Sequence, residues 1–225
     1  MASMPATQQV INRLINELMR GKTALQIAIG LRAGDAVVLQ LAPVFFGLTI
    51  DGNLELAQIY ASRMYDTHRG TITINALIDR CEEGAKSFDH GTEEQVLAAV
   101  SWCRGAVESI QITLEAIRKR RNKALAHLDP RFVANPTYLN TEAALTIPDL
   151  TKVFEQTEKI LQRIDAVHSG TIGELKYLGH DDYQVVLDLV ADAKCAEAAE
   201  FEKLYGEKIT WPIPAKCKKQ KSAEE

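Results

Sequence analysis

Several common catalytic motifs are missing from the 225-residue sequence. It contains no glycine-rich phosphate loop, no Gly-x-Ser-x-Gly nucleophile elbow and no His-Glu-x-x-His motif. ATPase, hydrolase-fold and metalloprotease functions therefore lack support. No set of histidine, cysteine or carboxylate residues has the spacing of metal ligands, so we predict no metal and no other cofactor.

Cysteine is scarce, and the four residues are far apart, at Cys81, Cys103, Cys195 and Cys217. None belongs to a Cys-x-x-Cys pair, and two of them lie in helical patterns as small apolar residues. A reducing cytoplasm is the simplest compartment for such a chain.

Long apolar runs are also missing. The most apolar stretch, residues 36–50, is shorter than the roughly 20 residues of a membrane span and contains Pro43. Residues 1–7 lack the basic and apolar regions of a secretory signal. We therefore expect a cytoplasmic protein with no membrane partner.

Helical periodicity dominates what is present. The sequence predicts helices over residues 7–31, 35–65, 74–83, 146–168 and 181–204, with interruptions at Pro43 and Gly52. The predicted fold is all-α, a single helical bundle of about six to seven helices spanning residues 1–205. The lysine-rich segment 206–225 is predicted to be a mobile basic tail.

A long central helix is the clearest predicted element. Thr92 and Gln95 form a capping-box pattern at its start. Apolar residues then recur in alternating steps of four and three through Val96, Val100, Cys103, Val107, Ile110, Leu114 and Ile117. This seam continues through Arg121, and Asp129-Pro130 ends the helix. Residues 131–145 are predicted to form an irregular connection.

A basic cluster occupies the last turns of that helix. Five of the six residues from Arg118 to Lys123 are basic, although the whole chain carries a formal net charge of -4. His127 follows the cluster. A guanidinium that grips a phosphate, beside an imidazole that moves a proton near neutral pH, suits phosphodiester cleavage.

Two questions about this cluster stay open at the level of sequence. On an ideal helix His127 lies within about 20° of Arg120 but about 120° from Arg121, whereas the apolar seam passes through Arg121. Geometry alone therefore does not choose between the two arginines. The cluster also fits a solvated helix end with favourable cations. Trp102 and Trp211 have base-stacking side chains, but core packing for the first and tail docking for the second are the favoured interpretations.

The segment from Arg121-Asn122 to His127 resembles the HEPN superfamily, whose signature is Arg, four to six residues, then His. The amino-acid sequence from Arg120 to Asp129 is similar to that of the branch associated with abortive-infection phage defence. An upstream segment, Arg63-Met64-Tyr65-Asp66 followed by Gly70-Thr71-Ile72-Thr73-Ile74, is similar to that branch too.

The resemblance implies a dimeric, metal-independent endoribonuclease of toxin or phage-defence type, in which two Arg-His motifs face each other. RNA would be cleaved by attack of its 2′-hydroxyl at that site. Arg121, Asn122 and His127 are the candidate catalytic residues, and Arg118, Arg120 and Lys123 the candidate substrate-binding residues. RNA, a second copy of the chain and an antitoxin or defence-system protein are the expected partners.

Two other functions remain open. One is a non-catalytic dimer that binds nucleic acid or a partner protein through the basic cluster. The other is a purely structural dimer in which the arginine-rich turn is a solvated helix end.

Overall fold

The computed structural model describes residues 6–68, 70–88, 90–125, 135, 137–170, 181–206, 209–210 and 212–217. Over these ranges the regular structure is helical and contains no strand, so the predicted all-α fold is confirmed. The α-helices are α1 (Thr7–Arg32), α2 (Ala36–Leu41), α3 (Pro43–Met64), α4 (Ile74–Glu83), α5 (Glu93–Glu108), α6 (Gln111–Arg120), α7 (Tyr138–Glu142), α8 (Ile147–Ser169) and α9 (Asp182–Tyr205). None of them is both long and apolar enough to cross a membrane.

Side-chain caps begin several of these helices where the sequence places them. Thr92 and Gln95 form a capping box at the start of α5. Thr146 and Asp149 form another at the start of α8. Asp35 accepts a hydrogen bond from the backbone N–H of Val37 and so caps α2. Each cap satisfies backbone N–H groups that have no partner within the first turn.

The predicted long central helix is divided, which corrects the sequence interpretation. Helix α5 ends at Glu108 and α6 begins at Gln111. Ile110 has φ -116° and ψ 6°, outside the helical range, while the Ser109 hydroxyl donates to the carbonyl of Ala106. A serine that bonds back to the preceding turn competes with helix continuation. The apolar seam nevertheless persists, because Ile110, Leu114 and Ile117 are buried.

Two further local predictions need correction. Helix α3 runs through Gly52 without a break, because a helical glycine costs only about 1 kcal/mol relative to alanine. The connection predicted to be irregular contains the short helix α7. The interruption predicted at Pro43 is confirmed, since α2 ends at Leu41 and α3 starts at that proline.

The chain divides into two compact units, and α1 and α3 contribute residues to both. Unit 1 comprises residues 1–25 and 55–177. Its core contains fully buried side chains from six helices, among them Ile11, Leu14, Leu18, Met64, Ile74, Leu77, Ile78, Val96, Ile117, Phe154, Ile160 and Leu161. Helix α5 packs against α4 and α8, so the predicted apolar seam lies inside this core.

Unit 2 comprises residues 26–54 and 178–225, with a smaller core of Leu31, Val38, Phe46, Leu187 and Ala191. A disulfide joins Cys195 on α9 to Cys217, a pairing that the spacing of the cysteines does not predict. Cys81 and Cys103 are buried free thiols in unit 1.

The described part of the segment predicted to be a mobile tail contacts the rest of unit 2. The backbone N–H of Ala215 donates to Asp35 Oδ2 at 2.6 Å, and Lys216 Nζ lies 2.7 Å from Asp192 Oδ1. Together with the Cys195–Cys217 bond, these contacts attach residues 215–217 to α2 and α9.

Two glycines within helices give a matched stability test. A Cβ built on Gly21 of α1 lies 2.5 Å from Phe154 Cε1, whereas one built on Gly52 of α3 meets nothing within 4 Å. Gly21→Ala is expected to lower the free energy of unfolding by about 1–3 kcal/mol through overpacking. Gly52→Ala is expected to raise it by about 0.5–1 kcal/mol. Denaturant titration of both variants checks the pair, and equal shifts would contradict the packing of α1 on Phe154.

Candidate functional site

The basic cluster lies where α6 changes its helical geometry. Residues Arg121–Leu125 form a π-helical turn directly after α6. Such turns are wider than an α-helix and are frequent at functional sites. The angles that an ideal α-helix predicts between His127 and either arginine therefore do not apply here. His127 itself lies outside the described residues.

Arg121, the first residue of that turn, is held by two neighbours. Its Nη1 lies 3.1 Å from Asp66 Oδ2, and its Nε donates to Asn122 Oδ1 at 3.1 Å. The side chains of Arg121 and Asp66 are 28% and 27% exposed. A charged side chain on an apolar seam must either contact water or pair with an opposite charge, because burying it alone is costly. Arg121 does both, since Asp66 is its carboxylate partner and its side chain is partly exposed.

Asp66 follows the last turn of α3 and begins the turn that leads to α4. Burial by itself opposes the charged carboxylate, but hydrogen bonds from the His68 backbone N–H and from Arg121 outweigh it. The net result is that the pKa of Asp66 is lowered below its ordinary value. Asp66 is therefore a carboxylate at neutral pH and fixes the direction of the Arg121 guanidinium.

Arg120 is directed to a different part of unit 1. Its Nε donates to the carbonyl of Ala143 at 2.7 Å, and its Nη2 donates to Asn140 Oδ1 at 3.0 Å. Burial lowers the pKa of Arg120 below its usual value, although a guanidinium stays charged at neutral pH. These contacts tie the end of α6 to the segment around α7.

The other members of the cluster differ in exposure. Arg118 and Lys123 are half-buried, whereas Asn122 is exposed beside Arg121. The structure therefore brings together Arg121, Asn122 and Asp66, and it turns Arg120 towards Asn140 and Ala143.

A cleft of about 450 Å³ adjoins this arrangement. Asp66 and Arg63 line it from the end of α3, and Arg13 and Glu17 line it from α1. Glu17 is the buried member, with a side chain 6% exposed. Arg13 Nη2 lies 2.9 Å from Glu17 Oε1, and Arg63 Nη1 lies 3.3 Å from Glu17 Oε2.

Glu17 therefore neutralises two half-exposed arginines at the edge of the cleft. Its Oε2 has the ion pair with Arg63 but no well-aligned hydrogen bond. A buried carboxylate requires such cationic neighbours to keep its charge. The cleft thus combines paired charges of both signs with Asp66, the residue that also holds Arg121.

The sequence pattern gives little indication of either carboxylate, Asp66 or Glu17. Asp66 is 55 residues from Arg121 in sequence, and no local spacing connects them. The only signal is that Asp66 belongs to the upstream segment that resembles the abortive-infection branch. Glu17 has the pattern of an ordinary polar residue on an amphipathic helix, so nothing in the sequence distinguishes it from other polar residues.

Metal-ligating side chains do not gather in the described residues. Over those ranges no group of three or more histidine, cysteine, aspartate or glutamate side chains is placed to hold a metal ion.

The model of the HEPN_AbiU2 family, described as AbiU2, matches residues 32–190. The chain belongs to this abortive-infection-associated family of the HEPN superfamily. Searches of the curated proteins and of the solved structures gave no match. The matched range includes Asp66, Arg121, Asn122 and His127.

Proposed function

We propose that the chain is a metal-independent endoribonuclease of the toxin or phage-defence type. The observation that carries the proposal is the placement of Arg121. It is half-buried at the start of a π-helical turn, aligned by Asp66 and Asn122, within the range matched by the HEPN_AbiU2 family. A guanidinium held in this way is preorganised for a phosphate oxygen.

The proposed reaction is internal transfer at an RNA phosphodiester. A base removes the proton of the 2′-hydroxyl, the 2′-oxygen bonds to phosphorus, and the bond from phosphorus to the 5′-oxygen breaks. An acid protonates the leaving 5′-oxygen. The products are a 2′,3′-cyclic phosphate and a 5′-hydroxyl end. His127 is the proposed proton-transfer residue, because histidine is the side chain type whose ordinary pKa lies close to neutral pH.

Arg121 retains donors for the phosphate in this scheme. A guanidinium has five N–H groups, and the bonds to Asp66 and Asn122 use two of them. The remaining N–H groups have no acceptor among the described residues and are proposed to bind phosphate oxygens as negative charge grows in the transition state. Asn122 is proposed to orient Arg121 and the phosphate, and Asp66 is proposed to be a positioning residue that acts through Arg121.

The other cations are proposed to supply substrate affinity. Arg118 and Lys123 add positive charge around the site, which attracts the RNA backbone without reading its bases. Arg120 is proposed to contribute mainly by fixing the end of α6, because two of its donors already bond to Asn140 and Ala143.

A homodimer is part of the proposal, since base and acid need two proton-transfer groups and each chain offers one histidine beside the cluster. In a two-fold dimer they come from different subunits. Light scattering at micromolar concentration is expected to give twice the 24.9 kDa chain mass. A single-chain mass at that concentration would contradict the composite site.

The second candidate is a non-catalytic module that binds RNA or a partner protein through the same cluster. The Arg121–Asp66 ion pair favours this second candidate, because Asp66 neutralises the charge of Arg121 in the absence of a substrate. Membership of an abortive-infection-associated family also supports an antitoxin or defence-system protein as a partner.

Incubation of the purified chain with total RNA, with and without a chelator, separates the two candidates. The ribonuclease is expected to cleave in both conditions. Binding without cleavage in either condition would support the non-catalytic module.

A further inference from the structure

A second cleft in unit 1 lies between α5 and α8. It shares no lining residue with the cleft beside Asp66. Its volume is about 760 Å³, within the range of roughly 300–1,000 Å³ that is typical of small-ligand sites. Small residues leave room between the helices, among them Gly91, Ala98, Ala99 and Ala166.

Trp102 forms part of the wall on α5. Its residue surface is 38% exposed, so the core packing predicted from the sequence is wrong for this tryptophan. The guanidinium carbon of Arg163, on α8, lies 5.0 Å from the centroid of the Trp102 ring system. A guanidinium over an aromatic face keeps its in-plane N–H groups available for an anion.

The charge of the second cleft is positive. Lys159 lies one turn before Arg163 on α8, and both side chains are exposed. No described residue that lines the cleft is acidic, and neither cation forms an ion pair with a described carboxylate. Among the described residues no carboxylate compensates these two cations beside the exposed indole, in a chain whose net charge is -4. They indicate an anionic ligand with a flat ring.

Two amide side chains complete the lining. Gln95 projects from α5 and Gln162 from α8. The Gln95 amide oxygen already accepts the Thr92 backbone N–H in the capping box, so Gln95 offers only its amide N–H groups. Gln162 offers donors and an acceptor, and such groups recognise the edge of a nucleobase. The cleft therefore has a stacking surface, cations and hydrogen-bonding groups in one place.

We propose that this cleft binds one nucleotide unit. The base stacks on the exposed part of the Trp102 indole, with the amides of Gln95 and Gln162 at its edge. The phosphate binds the in-plane N–H groups of Arg163 and the Nζ of Lys159. The unit is either an internal nucleotide of single-stranded RNA or a free mononucleotide, since both present the same base and phosphate. This proposal does not depend on the cleavage activity.

Calorimetric titration of the full chain tests the proposal, with adenosine 5′-monophosphate in one arm. The other arm uses a single-stranded 12-residue RNA with 2′-O-methyl riboses, which cannot undergo internal transfer. Trp102→Ala is expected to weaken the arm that uses this cleft by about fivefold to a hundredfold, through loss of base stacking. Lys159→Ala, at an exposed position that the fold does not need, is expected to weaken the same arm.

Arg104→Ala is the matched control. Arg104 lies two residues after Trp102 on α5, but Asp79 and Glu82 already neutralise it, so its removal should leave both arms unchanged. Trp102-dependent binding in the RNA arm alone assigns the cleft to a strand, and such binding of the mononucleotide assigns it to a free ligand. If neither arm depends on Trp102 and Lys159, the proposed site is wrong.

Discussion

Replacing His127 with alanine is expected to abolish RNA cleavage and to leave RNA affinity within about twofold of the wild type. Proton transfer by a positioned side chain contributes about 10²–10⁴ in rate, whereas phosphate binding rests on the arginines. Single-turnover cleavage and equilibrium binding, measured on the same labelled RNA, separate the two effects.

The control for this variant is His68→Ala. His68 lies in the exposed turn after α3, and the bond that it gives to Asp66 comes from its backbone N–H, which alanine retains. Its cleavage rate should equal that of the wild type. If His127→Ala cleaves as fast as His68→Ala, His127 does not transfer the proton and the proposed mechanism is wrong.

Replacing Arg121 with alanine is expected to weaken both cleavage and binding. A charged hydrogen bond contributes about 1.5–3 kcal/mol, so affinity should fall by about tenfold or more, and catalysis should fall further. The slope of log affinity against log salt concentration should decrease by about one, the contribution of a single phosphate contact. Arg121→Lys should restore binding better than turnover, because lysine keeps the charge but loses the planar fork.

Two neighbouring variants distinguish this role from a structural one. Asp66→Asn removes the carboxylate partner of Arg121 while keeping the shape of the side chain, so RNA affinity should be retained and the cleavage rate should fall. Arg120→Ala breaks the bonds to Asn140 and Ala143, so it should lower the melting temperature without changing the salt slope. An unchanged salt slope in Arg121→Ala, with only a lower melting temperature, would assign the Arg121–Asp66 pair to structure alone.

Most of the fold that can be predicted from the sequence follows from local patterns, namely helix caps and helical periodicity. The capping boxes at Thr92 and Thr146 depend on residues three positions apart, so their spacing is visible in the sequence. The buried seam through Ile110, Leu114 and Ile117 follows helical periodicity in the same way. The break at Ser109 was missed because periodicity records which residues are apolar and not whether the backbone stays helical between them.

Contacts between distant parts of the chain were not predictable. The partner of Arg121 lies 55 residues away, at Asp66, and the disulfide partners Cys195 and Cys217 are separated by 22 residues. Such pairs arise only when helices pack. For the same reason the sequence leaves Arg120 and Arg121 equivalent, whereas the structure places Asn140 beside the first and Asp66 beside the second.

The most direct test of the central proposal is the chemistry of the RNA ends that the protein produces. Total RNA incubated with the wild-type chain in excess chelator is expected to be cleaved, leaving 2′,3′-cyclic phosphate and 5′-hydroxyl ends, while His127→Ala leaves it intact. Cleavage that requires an added divalent metal, or that leaves 5′-phosphate ends, would contradict the proposal that arginine and histidine side chains cleave the RNA by themselves.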